Sequence, residues 1–140
     1  MNRKEKIIFY LETFILTLSF VMVIMFLSRM YEKSFRLALD SARRSDAVIL
    51  SANMAECLKS VEDEEDLALF LDKEFGMEKQ GDEYLVRFND DLEPDAGGDY
   101  LISIAFKEND GYKEATIRAF CREEELYILE TASYREDGHD

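Results

Sequence analysis

Apolar residues follow three regimes along the chain. From Ile7 to Leu27 they run almost unbroken: IIFYLETFILTLSFVMVIMFL holds no Lys, Arg, Asp, Gly or Pro, and Glu12 is its only ionisable side chain. At about 21 residues the run matches the ~20 that a helix needs to cross a ~30 Å hydrocarbon core. A transmembrane helix is therefore expected over 7–28, behind a short basic tail, 1–6.

From Ser28 to about Lys59 the apolar positions recur at helical spacing, and no Gly or Pro interrupts them. One row is Tyr31, Phe35, Ala38, Ala42, Ile49 and Ala52. A second is Leu50, Met54, Cys57, Leu58 and Val61, with Arg36, Asp40, Arg43, Arg44 and Asp46 between. The membrane helix is expected to continue as one long amphipathic stem. Ser60-Val61-Glu62-Asp63 resembles a capping box with Asp in place of Glu. It introduces a second helix over Glu64 to Phe75, with Leu67, Phe70, Leu71 and Phe75 on its apolar face and Gly76 as its stop. The acidic cluster from Glu62 to Asp66 sits where the helix dipole favours negative charge, which explains it without a ligand.

After Gly81 the period changes to alternation. Tyr84 to Phe88, Tyr100 to Lys107, Tyr112 to Arg122 and Leu126 to Tyr134 read as four strands. Asn109-Asp110-Gly111 forms a hairpin turn between the second and third, and Arg122 to Glu125 joins the third and fourth. Ala115, Ile117, Ala119 and Cys121 share one face of the third strand. The expected class is α+β: a transmembrane helix, its stem, a short second helix, then a four-stranded antiparallel sheet. Stem and small domain occupy 29–135, and the polar residues 136–140 show no sign of order.

Composition adds limits to this picture. The 140 residues carry a net charge of -14, which argues against nucleic acid, since phosphate binding needs clustered Lys and Arg. The same charge keeps the globular part off an anionic lipid surface. The basic residues Arg3, Lys4 and Lys6 resemble the start of a signal peptide. The long apolar run and the unsuitable Ser28-Arg29-Met30 point instead to an uncleaved anchor. Orientation is not decided by charge, because Arg29, Lys33, Arg36, Arg43 and Arg44 balance the basic start.

Candidate chemistry is sparse. The only histidine is His139, next to last, so no histidine-based triad or general base is expected and the chain reads as non-enzymatic. No cofactor is implied. The stretch NDDLEPDAGGD offers Asp90, Asp91, Glu93, Asp95 and Asp99 as oxygen ligands of the kind calcium takes, without EF-hand spacing. An ordinary solvated turn explains the same residues. Cys57 and Cys121 are too few for a zinc framework. They read either as buried thiols or, if the domain lies outside the cytoplasm, as a disulfide across stem and sheet. Glu12 is the most informative residue. A carboxylate at the centre of a bilayer costs on the order of 2.5–3.5 kcal/mol, and less near the interface. Snorkelling with Lys6, a protonated form, and an intramembrane partner such as the amino group or a basic residue of a neighbouring subunit are the ways to lower that cost.

A basic leader, an apolar helix with a glutamate near its start (Leu11-Glu12-Thr13-Phe14), an amphipathic extension and an antiparallel meander resemble type IV pilins and pseudopilins. The layout is similar to pilin-like proteins of Gram-positive type II secretion-like or pilus-like clusters. Two stretches carry the likeness further: Ala42 to Glu56, after the membrane helix, and Glu125 to Tyr134, at the end. The resemblance implies a membrane-anchored, structural subunit with its domain outside the cytoplasm. Its partners would be other pilin-like subunits or secretion platform proteins, engaged through the membrane helix, with Glu12 as the assembly residue. The chain departs from the pilin pattern in one respect. Pilins are cleaved after a glycine placed so that the glutamate becomes the fifth mature residue, and Ile7 stands in that place here. An uncleaved accessory or minor subunit is therefore the expectation. The alternative is a membrane-anchored sensor or binding module, unrelated to pili, whose acidic loop engages calcium or a basic protein.

Overall fold

The computed structural model describes residues 2–61 and 63–134. The chain divides into two compact units, Met1–Ser41 and Ala42–Asp140. Helix α1 (Arg3–Lys59) contributes to both.

In the first unit α1 is helical from Arg3, so most of the expected basic tail belongs to the helix. Asn2 begins it: its carbonyl accepts from the Glu5 and Lys6 amides, and its own amide donates to Glu5 Oε2 at 3.0 Å. Every residue from Asn2 to Ser41 is exposed. The helix is unbroken there, as expected of a stretch that no Gly or Pro interrupts. Its hydroxyls bond within the helix: Thr13 Oγ1 donates to the Phe9 carbonyl, Thr17 Oγ1 to that of Thr13, and Ser28 Oγ to that of Ile24.

The second unit is a two-layer sandwich of helices on one face of a sheet. Ala47, Leu50, Ser51, Met54, Ala55 and Leu58 of α1 are buried, a stripe at alternating spacings of three and one. This confirms the expected row through Leu50, Met54 and Leu58. It corrects the other row: Ile49 is 45% exposed and Ala52 is exposed. Ala47 and Ser51 take the inner positions because small side chains let a helix lie close to a sheet. Ser60 Oγ donates to the Cys57 carbonyl as α1 ends.

Helix α2 (Glu64–Phe75) is capped by Asp63, whose side chain accepts from the Asp66 amide at 2.9 Å. The cap is thus Asp63 itself, three residues later than the capping box placed it. Glu64, Glu65 and Asp66 fill the first turn, where the dipole stabilises them. Leu67 and Leu71 are fully buried, and Gly76 ends the helix at φ 66°, its N–H returned to the Asp72 carbonyl.

The sheet has five strands, one more than expected: β1 (Glu78–Gln80), β2 (Glu83–Phe88), β3 (Tyr100–Asn109), β4 (Tyr112–Cys121) and β5 (Glu124–Tyr134), in that order and antiparallel throughout. β1 escaped sequence reading because its three residues, Glu-Lys-Gln, are all exposed and carry no alternation. Gly81, at φ 63°, lets Gln80 face Glu83 across a two-residue turn. Asp110-Gly111 turns β3 into β4 as the sequence predicted, with Gly111 at φ 88°. The next turn is tighter than expected. Arg122 and Glu123 alone link β4 to β5, both left-handed at φ 49° and 70°. Such a pair matches the twist of a two-residue hairpin.

Tyr84, Val86 and Phe88 of β2, Tyr100, Ile102 and Ile104 of β3, and Ala115, Ile117, Ala119 and Cys121 of β4 form the core-facing side. Two tyrosines tie helices to that face: Tyr84 Oη donates to Glu64 at 2.8 Å, and Tyr100 Oη to Asp46 at 3.0 Å. Lys113 Nζ reaches the Val61 carbonyl at 3.3 Å. The packed part of α1 therefore runs antiparallel to β4, its Asp46 end near Tyr100 and Cys121, its Val61 end near Lys113.

Candidate functional site

Glu12 stands on one stripe of α1 with Ile8, Leu11, Ile15, Leu16 and Ser19, beside a shallow groove. The spacing places these side chains on one side of the helix. Leu11 is 59% and Leu16 71% exposed, so the stripe is open apolar surface interrupted by one carboxylate. Among the described residues Glu12 takes part in no hydrogen bond and no ion pair. The neighbouring Thr13 and Thr17 bond to their own helix and leave it without a local donor.

The acidic stretch after β2 is organised by its own backbone. Asn89 Oδ1 accepts from the amides of Asp91 and Glu93, each at 3.0 Å, and Asp95 Oδ1 accepts from the Gly97 amide at 2.9 Å. Pro94 bridges to Phe88, and the Asp95 amide donates to the Arg87 carbonyl. Asp99 Oδ2 accepts from Nε and an Nη of Arg122 at 3.0 and 2.9 Å, while the Arg122 amide donates to the Asp99 carbonyl. Asp90 and Asp91 are exposed. The five candidate calcium ligands are thus spread along a turn. Among the described residues no three His, Cys, Asp or Glu side chains converge as a metal would need.

Cys57 and Cys121 are both free. The antiparallel run of α1 on β4 explains why: Cys121 lies at the Asp46 end of the packed helix, and Cys57 lies three turns further along, near Glu74. The structure does not make the disulfide. Both thiols titrate higher than usual, chiefly because burial disfavours the thiolate. Glu56 and Glu74 add to this at Cys57, whereas Arg43 opposes it at Cys121. His139 lies outside the described residues.

Sequence reading missed the tyrosine–carboxylate ties. Burial, and then the hydrogen bond to Glu64, pushes the Tyr84 phenol up to about 12. Tyr100 rises further, by burial and its bond to Asp46. Both tyrosines open strands read from the sequence, but nothing there pairs Tyr100 with Asp46, 54 positions away.

No protein-family model, no curated protein and no solved structure matches the chain. The apolar helix near the N-terminus is, by length and composition, a candidate membrane anchor.

Proposed function

We propose that the protein is a non-enzymatic, single-pass, pilin-like subunit of the cell membrane that takes part in assembling a type IV pilus-like or type II secretion-like structure. Its acidic unit lies outside the cytoplasm. The observation that carries the reading is the order of parts: an exposed apolar helical run, 7–27, with Glu12 as its single carboxylate near the start, then a unit in which helices cover one face of an antiparallel meander. An apolar surface of that length needs hydrocarbon or protein around it. Within that setting Glu12 provides register or partner choice, because an intramembrane carboxylate is stabilised by a specific donor on a neighbour.

The test is topology. Cysteine is introduced at Asp110, in the exposed β3–β4 turn, in a Cys57→Ser, Cys121→Ala background, and intact cells receive a membrane-impermeant thiol reagent. Labelling of intact cells is the expected result. Labelling only after lysis puts the unit in the cytoplasm and overturns the pilin-like reading in favour of a cytoplasmic binding module. Glu12→Leu is expected to keep membrane insertion and to abolish co-purification with the other subunits of the assembly. Unchanged co-purification would remove Glu12 from the account.

A further inference from the structure

The sheet is open along β5. In β4 and β5 the register pairs Cys121 with Glu124 across the two-residue turn, and Ala119 with Tyr127, Ile117 with Leu129 and Ala115 with Thr131 beyond a bulge. Hydrogen-bonded pairs alternate with non-bonded ones in an antiparallel ladder, and the pair flanking a two-residue turn is a bonded one. Counting from that turn along β4, the main chains of Cys121, Ala119, Ile117 and Ala115 face β5. Counting from the Asn109–Tyr112 turn at the other end of β4 gives the same phase. On β5 this leaves Ile128, Glu130 and Ala132 with N–H and C=O directed away from the sheet. Among the described residues no other backbone or side-chain group bonds to this edge.

The side chains along the edge have a definite chemistry. Ile128 is 47% exposed, and Glu124, Glu125 and Glu130 are exposed; β5 carries no Lys or Arg. Residues 42–140 hold 27 acidic and 11 basic side chains, a net charge of -16. Tyr127, Leu129 and Thr131 are half-buried on the helix-covered side. A strand laid here meets an acidic and aliphatic row on one face and a half-covered apolar row on the other. A second copy of the chain would bring the same surplus of negative charge, so the edge suits a partner of opposite sign.

We infer that the free edge of β5 takes an extended, basic polypeptide segment as a sixth, antiparallel strand. Main-chain bonds to Ile128, Glu130 and Ala132 hold it. Its Lys or Arg side chains lie toward Glu125 and Glu130, and its alternate apolar side chains lie beside Tyr127 and Leu129. Backbone pairing of this kind supplies affinity, while the alternating side chains supply selectivity.

The experiment uses the full chain in neutral nanodiscs and fluorescence anisotropy of a nine-residue peptide that alternates valine with lysine. Two control peptides have the same charge: one N-methylated at every second backbone nitrogen, the other with its lysines in one block. The alternating peptide is expected to bind, and each control to bind about tenfold more weakly or worse. Ala132→Pro removes an outward N–H and leaves the β4 ladder intact; it should weaken binding by a similar factor. Glu130→Lys, at an exposed site, should do so through charge and serves if the proline variant fails to fold. Equal binding of all three peptides means adhesion to a negative surface and overturns the proposal, as does no binding at all. Dimers that Ala132→Pro dissociates would assign the edge to a second copy and overturn it too. These outcomes are independent of which side of a membrane the unit occupies.

Discussion

Ser51 shows how much a single position can differ from its neighbours. It is fully buried, and its hydroxyl has no hydrogen-bond partner. A buried hydroxyl without a partner destabilises the fold, because its bonds to water are lost and not replaced. Ser51→Ala removes the oxygen and keeps the small volume that the helix–sheet approach needs. Thermal unfolding should shift upward, corresponding to about 1 kcal/mol of added stability, and a downward shift would show that the hydroxyl is satisfied in solution. The burial of Ser51 was not legible in the sequence, where polar side chains break an apolar row. Leu50, Met54 and Leu58 were legible because their size leaves them one place to go. Ile49 fitted a helical row equally well and lies outside, since periodicity gives faces but not which face the sheet covers.

At the scale of elements, local chemistry decided most boundaries. Helix α2 was readable in its extent from Leu67, Leu71 and Gly76, because apolar face and stop agree. Its cap was read at Ser60 and lies at Asp63, since several short polar residues there can each accept from a helix N-terminus. The core alternation of β4 was equally plain. β1 was not, since it is held by pairing with β2 and by the Gly81 turn and not by burial. Nor were the strands' ends at Arg122-Glu123, where two non-glycine residues accept left-handed backbone. In the acidic turn the decisive residue is Gly98 and not a carboxylate. A Cβ there would press into the Phe88 carbonyl and the Asn89 amide. Gly98→Ala should therefore cost about 2 kcal/mol or more. Loss of amide-exchange protection should be concentrated in residues 87–99, and an unchanged melting curve would mean that the turn simply opens.

For the whole unit, the two phenols couple the layers. Tyr84 joins α2 to β2 and Tyr100 joins α1 to β3, each through a carboxylate that would repel a phenolate. Both phenols are raised above their ordinary value near 10, Tyr84 to about 12. Because the folded state disfavours ionisation, their contribution is complete below the unfolded value. It is lost as pH climbs from about 10 through about 12. Denaturant midpoints should fall across that window, and Tyr84→Phe together with Tyr100→Phe should flatten the fall. A fall that persists in the double variant would assign the alkaline loss to other groups.

The meander order also governs how fast this unit is made. Each strand pairs only with the strand next to it in sequence, so three hairpins with two-residue turns can close on the microsecond scale, at about 1–10 μs each. The slow step is then the docking of α1, which must find Tyr100 and Lys113 across separations of 54 and 52 residues. A chain emerging from its N-terminus completes α1 first and must keep its apolar stripe waiting until β3 and β4 arrive. Substitutions in the hairpins should mainly slow folding. Those on the stripe, at Leu50 or Met54, should mainly speed unfolding.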